Sequence, residues 1–192
     1  MGGMYNPKVL LLSLNYLGIV TASLGMLFFM PQIIKSLGDL MICGMISMVV
    51  WGFISDHINE RRWNLLGACV VSTVGLVIAG LTMGTWWALV GMSIAAIGFY
   101  GSKGPFWAMP PMFLTGMAAA GAIAWINSIG NLGGFFGSWY VGFMKDLTGS
   151  YAGGLYGLAL FGLVSAFVCA FFLHIPDPTT FERASEVLRA AE

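Results

Sequence analysis

The sequence predicts an all-α, polytopic membrane protein with six transmembrane helices. Apolar residues make up 58% of the 192-residue chain and charged residues only 8%, whereas about 25% of the residues of a soluble domain are charged. The mean hydropathy is +0.86. The few charged residues lie almost entirely between long apolar runs, which is the distribution expected when helices cross a bilayer.

The same composition argues against several classes of function. The net charge is zero, so the chain offers no basic face to nucleic acid. Three cysteines lie singly inside apolar runs and the two histidines are far apart, so we expect neither a disulfide framework nor a metal site. The sequence contains no nucleophile–base pair, phosphate loop or ion-filter motif. We therefore expect neither an enzyme nor a channel, and no bound cofactor.

Apolar segments long enough to cross a hydrocarbon core of ~30 Å follow one another along the chain. We predict spans at 9–30, 40–55, 64–83, 87–113, 116–143 and 154–174. The second span is short, because residues 40–55 would form a helix of only ~24 Å. It looks as though the first turns of that helix have been deleted.

The basic residues predict that both termini lie in the cytoplasm. Six spans place both ends of the chain on the same side, and the positive-inside rule assigns that side to the cytoplasm. The inner residues are then Lys8, Arg61, Arg62, Arg183 and Arg189, against Lys35 and Lys145 outside. Residues 176–192 follow the last span as a cytoplasmic amphipathic tail, begun by a capping-box pattern at Thr179 and Glu182.

A short charged segment, residues 56–62, separates the second and third spans. Gly52 is followed four residues later by Asp56, and the arginine pair Arg61 and Arg62 comes just beyond. We expect Asp56 to pair with a neighbouring helix end or a cation, and the arginines to hold the segment on the cytoplasmic side. A generic basic loop after a membrane helix is the alternative.

The fourth span contains a lysine, which is costly inside a membrane. Lys103 and Trp107 are four residues apart and so share a helix face. Between them, Gly104 and Pro105 would loosen the helix, as in the broken helices of transporters. A buried ammonium beside an aromatic wall suits a carboxylate ligand. Alternatively, Lys103 snorkels or pairs locally and Trp107 is a packing residue.

The fifth span contains two asparagines on a polar stripe. Residues at helical spacing along this stripe are Ala124, Asn127, Asn131, Gly134 and Ser138. An amide both donates and accepts hydrogen bonds, so it suits a hydroxylated acid. We expect Asn127 to face a cavity, whereas an interhelical hydrogen bond is an equal alternative for Asn131. Glycines four residues apart within 130–137 form small-xxx-small pairs, which indicate close helix packing.

Three motifs in this order resemble the second half of major facilitator superfamily transporters. The first is Gly52 and Asp56 with the ending Glu60-Arg-Arg-Trp, and the second is Gly104-Pro-Phe-Trp-Ala-Met-Pro. The third is Ile126-Asn-Ser-Ile-Gly-Asn-Leu-Gly-Gly-Phe, followed by Lys145-Asp-Leu-Thr-Gly-Ser. The chain is most similar to the anion:cation symporters, which carry tartrate, galactonate and related sugar or aromatic acids, and the similarity covers nearly its whole length.

The resemblance implies the C-terminal six-helix half of such a transporter, with a bundle over 1–175 built from inverted repeats at 9–83 and 87–174. It implies uptake of a small organic anion across the inner membrane by alternating access, coupled to a proton. Positions matching Trp107 and Asn127 line the central cavity of the family, and we add Lys103 and Asn131 as further substrate-binding candidates. The implied conformational-gating loop comprises Gly52, Asp56, Arg61 and Arg62.

The chain also departs from the family pattern. Family members have about twelve spans in two bundles, whereas this chain supplies one bundle and no Asp or Glu inside a predicted span. His57 and Asn59 replace the usual basic residue and glycine of the charged loop. We therefore expect a partner, either an N-terminal transporter half or a second copy of the chain. The alternative function is a truncated or split carrier that does not transport alone and acts as a partner or remnant.

Overall fold

The described part of the computed structural model contains six α-helices and a short 3₁₀ helix. It describes residues 6–27, 37–58, 60–112 and 116–173, and these ranges contain no β-strand. The elements are α1 (Pro7–Leu27), α2 (Leu37–Ile58), α3 (Arg61–Leu81), α4 (Trp87–Ala108), the 3₁₀ helix (Pro110–Met112), α5 (Gly116–Thr148) and α6 (Ala152–Phe171). The predicted tail at 176–192 lies outside the described residues.

Three of the described helices have both the length and the composition of membrane spans. Helices α1, α3 and α6 are each long and apolar enough to cross a bilayer, and α2 contributes the apolar segment Gly44–Ile58. Helix α4 has 22 residues and α5 has 33, so both exceed the ~30 Å that a hydrocarbon core requires. The predicted all-α membrane bundle is confirmed.

The helix that contains the predicted second span is longer than the span itself. Helix α2 extends over 22 residues, Leu37–Ile58, and is therefore about 33 Å long. The sequence argument ended the span at Asp39 and Asp56 because these residues are charged, but a helix continues through charged residues where its ends reach the polar interface. As a result, the expected charged loop at 56–62 is mostly helical, and only residues 59–60 lie between α2 and α3.

The helices pack side by side in the order α2, α4, α3, α6, α1 and α5, with α5 also touching α6. Helices α1 and α4 touch each other only slightly. We call the side formed by α1, α2, α4 and α5 the front of the bundle, and the side formed by α3 and α6 the back. The two back helices pack against each other, α3 also packs against α4, and α6 also packs against α1 and α5.

Glycines allow the helix backbones to approach one another closely. A Cβ atom built on Gly75 of α3 would lie 2.2 Å from the backbone nitrogen of Ala95 in α4. A Cβ atom on Gly137 of α5 would lie 2.3 Å from the carbonyl oxygen of Thr21 in α1. The predicted packing role of the glycines at 130–137 is confirmed, and their partner is α1.

The two halves of the chain pack in matching ways. Helix α2 packs on α4 as α5 packs on α1. In each pair a tyrosine ring rests on a glycine, because a Cβ atom on Gly44 would lie 2.4 Å from the Tyr100 ring and one on Gly130 would lie 2.1 Å from the Tyr16 ring. Two repeats would produce this pattern, although the boundaries 9–83 and 87–174 remain predictions.

We expect Gly75→Ala to lower the free energy of unfolding by about 1–3 kcal/mol, because the added methyl group meets backbone atoms that cannot rotate away. The measurement is chemical or thermal unfolding of the purified protein in detergent. Gly142→Ala is the matched control, since no atom lies within 4 Å of a Cβ atom at that position. Equal stability of the two variants would contradict the close-contact argument.

Candidate functional site

Tyr16 of α1 connects the two polar clusters that the sequence predicts. Its ring stacks on Phe106 of α4, with ring centroids 4.8 Å apart, and meets Trp107 edge-on at 5.1 Å. The ring also lies against Gly130 of α5. A single aromatic side chain therefore brings Trp107 next to the glycine that precedes Asn131.

Trp107 lies inside the body of the bundle although it is close to the end of α4. Tyr16, its neighbour, is nine residues after the start of α1 at Pro7, which is about 13 Å along the helix axis. Helix α4 ends at Ala108 and the chain then forms the 3₁₀ turn Pro110–Met112. Helix α4 therefore ends just after Trp107, at a level about 13 Å along the bundle from the first residue of α1.

The prediction that α4 loosens at Gly104 and Pro105 was wrong about the position. Pro105 lies inside the continuous helix Trp87–Ala108. A proline removes one backbone hydrogen bond, but Pro105 and the following Phe106 are both fully buried. This packing keeps the turn helical, and the break comes four residues later.

Lys103 is half-buried and lies over an aromatic ring of its own helix. Its Nζ atom is 5.0 Å from the centroid of the Tyr100 ring, which is a cation–π distance. Within the described ranges the ion pair formed is that of Arg61 with Asp56, so no described carboxylate neutralises Lys103. A partly desolvated ammonium without a carboxylate partner favours an anionic ligand.

Asn127 and Asn131 are bonded to each other along α5. The Asn131 Nδ2 atom donates to the Asn127 backbone oxygen at 2.9 Å and approaches the Asn127 Oδ1 atom at 3.3 Å. Both side chains are exposed, and both lie near the middle of the helix Gly116–Thr148. The interhelical bond considered for Asn131 is not formed with any residue that the structure describes. Exposed amides at this depth are costly against lipid, so they call for a cavity or another protein.

The structure brings some of the predicted residues together and not others. Lys103 and Trp107 share a face of α4, Asn127 and Asn131 share a face of α5, and Tyr16 lies between the two helices. Among the described residues, no hydrogen bond links the lysine or tryptophan to either asparagine. Sequence reasoning missed Tyr16, although a polar pair, Asn15-Tyr16, in the middle of an apolar span meets the criterion that identified Asn127.

The expected gating residues do not form one cluster but contact different helices. Asp56, at the end of α2, forms an ion pair with Arg61 at the start of α3. Gly52 packs on α4 instead, since a Cβ atom built on Gly104 would lie 3.2 Å from its Cα atom. These residues therefore connect α2 to α3 and to α4.

Arg62 connects α3 to the far end of the chain. Its Nε atom donates to the carbonyl oxygen of Cys169 at 3.1 Å, and its guanidinium also donates to the carbonyl oxygen of Ala170. In return, the Cys169 thiol donates to the Arg62 carbonyl oxygen at 3.3 Å. The last carbonyl groups of a helix lack partners within the helix, so Arg62 caps the C-terminus of α6.

The part of the chain that the structure describes contains no group of three His, Cys, Asp or Glu side chains that could hold a metal ion. The cysteines Cys69 and Cys169 are buried and free. The predicted substrate-binding residues offer one ammonium, two amides and an indole.

Known proteins resemble this chain over most of its length. A protein named as a tartrate transporter in Agrobacterium vitis is 41% identical over 88% of this chain and 41% of its own length. A quinolone resistance transporter of Acinetobacter baumannii is 33% identical over 85% of this chain. The inner membrane transport protein RhmT of Escherichia coli is 29% identical over 85% of it. The chain is homologous to these transporters.

The homology confirms the predicted resemblance to the major facilitator transporters, and the chain is an integral membrane protein. It spans about 40% of the length of the curated relatives that it matches, which is close to the share of one bundle in a two-bundle carrier. No model of a protein family matches the sequence.

We expect Arg62→Gln to lower the free energy of unfolding by about 1.5–3 kcal/mol, because it removes hydrogen bonds from a charged donor to the end of α6. Arg61→Gln is the matched control. It breaks an ion pair whose aspartate side chain is 64% exposed, so it should cost about 0–1 kcal/mol. Both values come from denaturant unfolding in detergent, and a larger loss for Arg61→Gln would show that the cap on α6 is not the stronger contact.

Proposed function

We propose that the chain forms one six-helix half of a secondary carrier for small organic anions. The observation that carries this proposal is the half-buried ammonium of Lys103, which rests on Tyr100 and has no carboxylate partner among the described residues. It lies on the same side of the bundle as the exposed amides of α5. The names of the relatives, which include a tartrate transporter, support a carrier of organic acids.

Each side chain of the front has a distinct proposed role. A substrate carboxylate binds the Lys103 ammonium, which is the only cation on this face among the described residues of α4 and α5 away from their ends. Hydroxyl groups of the substrate bond to Asn127, with Asn131 as a second contact. The indole of Trp107, fixed by Tyr16, packs against the carbon skeleton of the substrate.

A second protein wall completes the site. The front exposes polar amides at mid-membrane depth, and these need a facing surface that encloses water and substrate. An N-terminal transporter half or a second copy of the chain would supply it, together with the carboxylate that carries the coupling proton. Rocking of the two walls then gives alternating access across the inner membrane, with both termini in the cytoplasm and with Gly52, Asp56, Arg61 and Arg62 at the moving junction.

A second candidate function is a split or truncated carrier that does not transport alone and acts only as a partner or remnant. The observation that favours it is the extent of the match, because the chain aligns with only about 40% of each relative. The exposed polar side chains of the front are consistent with an inactive bundle, and equally with an active bundle that binds a second protein wall.

Uptake of labelled organic acids distinguishes these functions. Cells express the chain alone or together with an N-terminal six-span half of a relative, and receive tartrate, galactonate or an aromatic acid. In the active arrangement we expect Lys103→Met to reduce uptake about 10- to 100-fold, since hydrogen bonds to charged groups contribute about 1.5–3 kcal/mol. We expect a smaller loss for Asn127→Ala.

Lys145→Met is the matched control, because this lysine is exposed near the end of α5 and should leave uptake unchanged. Uptake by the chain alone indicates a dimer, and uptake only with the added half indicates a split carrier. Full uptake by Lys103→Met would refute the role of the lysine. Absence of uptake in both arrangements, despite normal membrane insertion, would favour the inactive partner or remnant.

A further inference from the structure

The back of the bundle has an apolar groove between α3 and α6. Its volume is about 430 Å³ and it is widely open to the surroundings. The residues that line it are Leu66, Leu163, Val164, Ala166, Phe167 and Ala170. Because the lining offers almost no polar surface, the groove suits a hydrocarbon chain rather than a polar ligand or a transported acid.

The groove begins directly beneath Arg62. Leu66 follows Arg62 by one helical turn, and Ala170, which also lines the groove, accepts a hydrogen bond from the Arg62 guanidinium. The exposed ring of Trp63 lies beside the same group, with its centroid 5.4 Å from the Arg62 Cζ atom. Arginine and tryptophan at a helix end are typical of the membrane–water interface. The groove therefore lies at the depth where lipid acyl chains begin.

We propose that this groove binds one acyl chain of a phospholipid, whose phosphate lies beside Arg62 and Trp63. The residues from Leu163 to Ala170 extend ~10 Å along α6, so the groove accommodates the upper part of one chain. The Arg62 guanidinium also donates to the carbonyl oxygens of Cys169 and Ala170. A guanidinium matches phosphate oxygens in geometry.

The bound chain has a structural consequence. The groove lies between α3 and α6, next to the point where Arg62 caps α6. A lipid chain that fills this space adds dispersion contacts to both helices, while its phosphate adds a bond at the cap. The lipid therefore stabilises the back of the bundle and takes no part in the proposed transport site on the front.

Photocrosslinking with a defined lipid tests the proposal. The purified chain is placed in phosphatidylcholine nanodiscs with a trace of phosphatidylglycerol that has a photoreactive group high on one acyl chain, and the labelled residues are mapped by mass spectrometry. We expect labelling at Val164 and Phe167 to exceed labelling at Val70 and Val74, which are exposed apolar residues of α3 outside the groove lining, by about 5-fold or more. Equal labelling of the groove and of these two residues would mean ordinary lipid contact and would overturn the proposal.

Leu163→Trp fills the groove and should reduce labelling at Val164 and Phe167 several-fold. Leu160→Trp is the matched control, because it adds the same indole to the same exposed face of α6 outside the groove lining, and it should leave labelling unchanged. Unfolding of both variants is measured to establish that they are folded. A photoreactive diacylglycerol, which lacks the phosphate, should label weakly, and labelling equal to that of phosphatidylglycerol would refute the phosphate contact at Arg62.

Discussion

Close contact between helix backbones at glycine is the constraint on which the bundle depends. In a bilayer, apolar side chains gain little by leaving lipid for another helix, so association relies on close packing and on polar contacts. Gly98 shows how little space remains, because a Cβ atom there would lie 2.4 Å from the backbone nitrogen of Ser72. Helix α3 uses such contacts with α4 and also packs against α6, so the back is tightly packed. Helices α2 and α5 stand at the two ends of the row, where one side of each lacks a neighbouring helix of comparable contact.

Asparagine side chains have two different environments in the bundle. Asn15 is fully buried at the contact of α1 with α6, where its Nδ2 atom donates to the Ser165 carbonyl oxygen at 2.7 Å. The Ser165 hydroxyl donates back to the Asn15 carbonyl oxygen at 2.9 Å. Asn127, by contrast, is exposed at mid-helix and bonds only within α5 among the described residues. Asn15 therefore serves packing between helices, whereas Asn127 and Asn131 form no hydrogen bond to another described helix.

The sequence was sufficient for features that depend on composition and local spacing. It predicted the helical class, the packing glycines at 130–137 and the shared face of Lys103 and Trp107. It did not predict the length of α2, because charge marks the end of an apolar run but not the end of a helix. The hydrogen bond from Arg62 to the Cys169 carbonyl oxygen joins residues more than a hundred positions apart, and no local sequence pattern predicts it. Tyr16 had a local signal in the polar pair Asn15-Tyr16, but its contacts with two other helices cannot be predicted from that pair.

Two matching tyrosine–glycine contacts support different sides of the candidate site. Tyr16 rests on Gly130 and orients Trp107, whereas Tyr100 rests on Gly44 and supports the Lys103 ammonium. Trp107 and Lys103 both belong to α4, but the tyrosines that support them contact different helices. Tyr16 of α1 contacts α5, and Tyr100 of α4 contacts α2. A shift of α2 against α4 would therefore change the lysine side of the site, and a shift of α5 against α1 would change the tryptophan side. The geometry of the candidate site is thus coupled to both edges of the bundle, which are the edges that a second wall would contact.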